Sequence, residues 1–99
     1  MYPKIEDFNG NNQVDKVEGN IKTTYVLLEN NRIAAVREGT GADVEKATLL
    51  SNGNQSKYFS ALMSCTIEID NTPLFMDDLA ALKMRDYMAL TVAFSNLNF

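Results

Sequence analysis

Residues 72–99, TPLFMDDLAALKMRDYMALTVAFSNLNF, set the tightest limit on the fold, because from Met84 the side chains of Met84, Tyr87, Met88, Thr91, Phe94 and Leu97 recur at steps of three and four. Since about 3.6 residues complete a helical turn, that spacing lines them along one side of an α-helix. The repeat predicts a helix that buries this side against the body or offers it to a partner. Upstream, Asp77 and Asp78 precede Leu79 and Leu82. Carboxylates in a first turn are stabilised by its unpaired N–H groups, so a short helix, a bend near Lys83 and a longer helix follow. Arg85 and Asp86 mark a solvated start for that longer helix. The chain thus closes in a helical hairpin that holds three of the five methionines and three of the five phenylalanines.

The rest of the chain must supply a surface for this hairpin. Residues 21–29, IKTTYVLLE, and 32–38, RIAAVRE, are rich in β-branched residues and are separated by Asn30 and Asn31, which predicts two antiparallel strands. An isolated ribbon is marginal in water, so helices must pack on it or a second copy must extend it. Thr40 and Asp43 have the spacing of a capping pair, which starts a helix at about Gly41 with Val44, Ala47 and Leu50 or Ser51 facing inward. Ser51-Asn52-Gly53-Asn54 ends it. Ser56 is the expected cap of a second helix whose Phe59, Leu62, Met63 and Thr66 share one side. Ile67 and Ile69, then Asp70-Asn71, read as a short extended excursion to Pro73, which cannot continue a helix.

The fold class expected is α+β: a small N-terminal antiparallel β-hairpin packed by about four short helices and ending in the helical hairpin. Residues 21–99 form its single domain. Residues 1–20 are polar and Asn-rich and predict a flexible arm, although Tyr2, Ile5 and Phe8 recur every third residue and make an apolar edge if the arm docks.

Composition then removes whole classes of function. With 99 residues there is room for one domain. A net charge of −4 and scattered Lys and Arg speak against nucleic acid, which is held by clustered cations. No apolar run is long enough to span a bilayer, and MYPKIEDFNG lacks the basic-then-apolar order of a signal peptide, so the expected location is the cytoplasm. Histidine is absent and Cys65 is the single cysteine. Ser–His and Cys–His nucleophiles, the usual neutral-pH base and disulfides are therefore excluded. Asp77 and Asp78 are explained by helix-start electrostatics, and Gly39-Thr40-Gly41 by a turn and helix cap. Neither is a phosphate cradle or a carboxylate dyad, so no catalytic, cofactor-binding or metal-ligating residue is assigned. Cys65, among apolar and small neighbours, is expected to be a buried, inert thiol. The methionines of the hairpin admit two readings, simple core or an adaptable surface for apolar helices.

One likeness rests on order and spacing. A strand ending at Arg37 runs into Glu38-Gly39-Thr40-Gly41-Ala42-Asp43. A helix over 58–64 and an extended piece over 66–74 follow, then Asp77-Asp78-Leu79, Leu82, Arg85-Asp86-Tyr87, Leu90 and Phe94. Over residues 24–97 this resembles the small tail assembly proteins, or tail assembly chaperones, of Mu-like and related phages and prophages. The resemblance implies a non-enzymatic protein that keeps the long helical tape measure protein soluble until the tail tube protein polymerises around it. It implies partner contacts through the hairpin, at Leu79, Leu82, Tyr87, Leu90, Phe94 and Leu97, with self-association possible. The alternative is a structural tail or baseplate subunit retained in the finished particle.

Overall fold

The structure, a computed structural model, describes residues 2–99. The described residues form five strands, β1 (Gln13–Glu18), β2 (Ile21–Leu27), β3 (Ile33–Arg37), β4 (Ile67–Ile69) and β5 (Thr72–Pro73). Four α-helices accompany them: α1 (Gly41–Ser51) and α2 (Gln55–Thr66) between β3 and β4, then α3 (Met76–Ala80) and α4 (Met84–Asn98). All strands pair antiparallel in the order β1-β2-β3-β4-β5, each beside its neighbour in sequence. The α+β class is as expected from the sequence.

Turn chemistry explains why the chain folds back where it does. Asp70 and Asn71 both take left-handed backbone angles, φ 49° and 66°, which fit the right-handed twist of a two-residue hairpin. Asn30 and Asn31 do the same between β2 and β3, both at φ 59°. Gly19, at φ 62°, turns β1 into β2 without a side-chain penalty.

The register assigns the two faces of the sheet. Val26 lies opposite Ala34, Ala34 opposite Ile69 and Val36 opposite Ile67, so these five residues share one face. Met63 of α2, Leu79 of α3 and Leu90, Ala93 and Phe94 of α4 close over it, and this is the main core. Tyr25 opposite Ala35, with Ile33, lies on the other face, where Phe8 seals a second, smaller cluster flanked by Tyr2, Val14 and Leu27.

That second cluster corrects the expectation of a loose arm over 1–20. Met1 lies outside the described residues, but residues 5–8 form a single 3-10 turn with Phe8 only 1% exposed, and residues 13–18 are an edge strand. Tyr2 packs edge-on against Tyr25 with ring centroids 5.2 Å apart. Its hydroxyl donates to Glu68 Oε1 at 3.0 Å and accepts from Asn71 N at 3.1 Å. The stretch looked loose because QVDKVE alternates charge with valine. An edge strand of this kind holds by backbone pairing to β2 more than by apolar burial. Residues 21–99 are therefore not a unit complete in itself, and the predicted ribbon is the middle of a five-stranded sheet.

The helix starts need smaller corrections. Asp43 Oδ2 accepts the Thr40 N–H at 2.8 Å, as the capping pair predicts. Val44 and Leu50, however, lie outward, and α1 is instead buried through Asp43, Ala47 and Ser51. The cap of α2 is Asn54, whose side-chain oxygen accepts Ser56 N at 3.0 Å, rather than Ser56 itself.

Candidate partner-binding surface

Helix α4 is the element on which the expected binding residues were placed, and its packing decides which of them a partner can reach. The helix lies across β2 and β3. Leu90 is 0% exposed and Phe94 2%, and Leu79 of α3 is sealed under the same layer. Leu82, Tyr87 and Leu97 are half-buried against that core. Tyr87 is further fixed by its hydroxyl, 3.2 Å from Ser60 Oγ on α2. The assignment of Leu79, Leu90 and Phe94 to partner contact is thereby corrected, since side chains without accessible surface are structural. Leu82, Tyr87 and Leu97 offer only partial surface.

The inward face of α4 is rotated from the one the spacing predicted. Its core-facing residues are Asp86, Leu90, Ala93 and Phe94. Small Ala93 lets the helix approach the sheet closely, while Asp86, 2% exposed, takes an N–H of Arg32 and the backbone N–H of Glu29, each at 3.4 Å. Asp86 is therefore a buried tie between α4 and the β2–β3 turn, and the expected solvated helix start is corrected.

Met84, Met88 and Val92 fall on the opposite, outer face, and with Phe99 each is at least half exposed. Met84 at 81% and Phe99 at 85% mark the two ends of this stripe. Phe99 packs edge-on against Phe94 at 5.9 Å, and Phe59 of α2 does so at 5.3 Å, which gathers apolar surface from both helices at the far end of α4. Between the ends the outer face carries Ser95 and Asn96, while Thr91 turns its hydroxyl toward Met63 of α2 at 3.8 Å. From Tyr87 to Phe99 the sequence contains no charged residue. That absence was the available signal for an outer face of unusual character, since a solvated helix face ordinarily carries Lys, Glu or Arg. The apolar repeat drew attention to the wrong side because apolar residues occupy both.

At the N-terminal end of the stripe, Lys83 Nζ lies 3.4 Å from Glu29 Oε2 and Arg85 Nη1 lies 4.0 Å from Glu29 Oε1. Two cations share one carboxylate there, so this end is locally positive.

A cleft of about 550 Å3 opens elsewhere, on the second face of the sheet, and its lining includes Tyr25, Ala35, Arg37, Lys46, Cys65 and Phe75. Its polar groups are largely engaged. Arg37 donates to both oxygens of Asp43 and to Cys65 O at 2.8 Å, and to Glu38 O at 3.0 Å. Cys65 is half-buried rather than buried as expected, and burial pushes its thiol up from its ordinary value, which favours the protonated form. Two carboxylates near the C-terminal hairpin, Asp78 and Asp70, are likewise occupied by backbone. Asp78 Oδ2 accepts Phe75 N at 2.9 Å at the start of α3, and Asp70 Oδ1 accepts Ile33 N at 3.2 Å. Among the described residues no helix is long and apolar enough to cross a membrane.

Comparison of the chain with protein-family models, with curated proteins and with solved structures gave no match.

Proposed function

We propose that this chain is a non-enzymatic tail assembly chaperone of a phage or prophage, acting in the host cytoplasm to hold amphipathic helices of the tape measure protein until the tail tube protein takes them over. The observation that carries the reading is the outer face of α4, free of charge from Tyr87 onward, with Met84, Met88, Val92 and Phe99 exposed on a helix whose inner face packs on the core. A client helix needs a strip of apolar surface that repacks around non-identical side chains, and unbranched methionine does so at little conformational cost. Residues over 84–99 span about 22 Å, the length of four helical turns of a client. The resemblance in order and spacing over 24–97 names the client.

In this reading Leu79, Leu90 and Phe94 hold α4 in place from beneath, and the client contacts are Met84, Met88, Val92 and Phe99. Co-expression with the tape measure protein tests it: the wild-type chain keeps the client in the soluble fraction, and Met88→Glu returns it to the pellet while the chaperone itself stays folded. A client equally insoluble with and without the wild-type chain would overturn the proposal. Finished tails should lack the protein by mass spectrometry, whereas stoichiometric retention would favour a structural tail or baseplate subunit.

A further inference from the structure

We infer that, when no client is bound, the outer face of α4 is covered by the same face of a second copy, the two helices running antiparallel about a two-fold axis near Val92. Three observations lead there. The stripe is self-complementary: in an antiparallel pair centred beside Val92, Met84 of one copy meets Phe99 of the other and Met88 meets Ser95, with the two Val92 side chains flanking the axis. The exposed apolar positions at the two ends thus find one another, as an isologous contact requires.

Charge favours the pair as well. No charged residue occurs from Tyr87 to Phe99, so no like charges meet along the seam. Surfaces kept apart by selection usually carry such charges, and these do not. The exposed Lys83 and Arg85 of each copy come over the carboxyl end of the other copy's α4, where unpaired carbonyls concentrate partial negative charge. A parallel pairing would instead bring both cationic ends together.

The extent of the face matters too. Met84, Met88, Val92 and Phe99 are each at least half exposed along the whole length of α4, with Phe59 of α2 beside them, and specific pairs bury about 800 Å2 per partner. The β1 edge is a poorer self-pairing surface, because the two centred registers place Asp15 against Asp15 or Lys16 against Lys16.

The inference uses the same face as the proposed client contact but does not depend on that contact. Self-association would hold the stripe out of water and make client binding an exchange of one helix for another.

Sedimentation equilibrium of the full chain at neutral pH is the test. Across the micromolar range the expected mass is twice 11.0 kDa. Val92→Glu places two carboxylates beside the axis and weakens association at least tenfold, with helical circular dichroism unchanged. Mixing Val92→Glu with Val92→Lys restores a heterodimer. Met88→Lys serves as the second disrupting variant should Val92→Glu fail to fold. A monomeric wild-type chain, or a dimer as tight in these variants as in the wild type, overturns the pairing. If the wild type is monomeric and Val92→Glu still loses the client, the face serves the client alone and the chaperone reading stands. A dimer split by Val92→Glu without any effect on client solubility leaves the pairing and removes the chaperone reading.

Discussion

Arg37 and Asp43 show how much of the architecture one pair of side chains can tie together. The guanidinium at the end of β3 grips both oxygens of Asp43 in the first turn of α1 and reaches Cys65 O near the end of α2, while Asp43 also accepts the Thr40 N–H. Bidentate, charge-assisted bonds of this kind are the strong ones. The Arg37 guanidinium and the backbone donor hold the Asp43 carboxyl at about 2, against an ordinary 3.8. A carboxyl whose folded pKa is depressed stabilises the fold above its unfolded pKa, and that stabilisation disappears as pH falls through the folded value. Asp43→Asn should therefore cost about 1–2 kcal/mol at pH 7, after discounting for the solvent that reaches Arg37. In thermal unfolding that corresponds to a midpoint lowered by about 4–8 °C per kcal/mol. The gap between variant and wild type should narrow as pH drops from about 4 to about 2. A gap that is constant over this range would mean that the pair contributes by shape alone.

At the level of elements, α4 has two faces of similar hydropathy and opposite fate, which can be separated by truncation. Leu90→Ala removes a side chain with no exposed surface and should cost about 2–5 kcal/mol, a large share of a small domain's stability. Met84→Ala, at 81% exposure, should stay within about 0.5 kcal/mol when made in the Val92→Glu background, where no second copy covers the face. Urea unfolding of both variants checks the assignment, and equal losses would contradict it. The sequence made the elements themselves readable: β2, β3, α1, the bend at Lys83 and the length of α4 follow from period, caps and turn residues. It did not make the rotation of α4 readable. Periodicity reports where apolar residues are, and with Met84, Met88 and Val92 on one side and Leu90, Phe94 and Leu97 on another, only the close fit of Ala93 and the reach of Asp86 to Arg32 choose between them. These are contacts between segments more than fifty residues apart, which no local window contains.

For the whole molecule, the sheet is covered unequally, by helices on one face and on the other by a thin layer from the N-terminal segment. Phe8 is the test of that layer. If residues 2–12 merely floated, Phe8→Ala would cost nothing. Its enclosure with Tyr25, Ile33 and Ala35 predicts a loss of about 3–5 kcal/mol, read by urea denaturation. The candidate surface was legible in kind, an apolar strip on the C-terminal hairpin, but only Leu82, Tyr87 and Leu97 of the six expected residues keep any access to a partner.

Neighbour-by-neighbour strand order has a kinetic consequence. β1, β2 and β3 can zip together by closing short loops, events of microseconds, because every contact they need lies nearby along the chain. The pairing of Ala34 with Ile69 is different, since α1 and α2 must be carried across before β4 can add to the sheet. Closing that long loop comes before most of its reward, so the β3–β4 seam is the natural bottleneck of folding. Until it closes, the docking platform for the last helix is only half built, and the greasy end of a nascent chain stays in search of a seat.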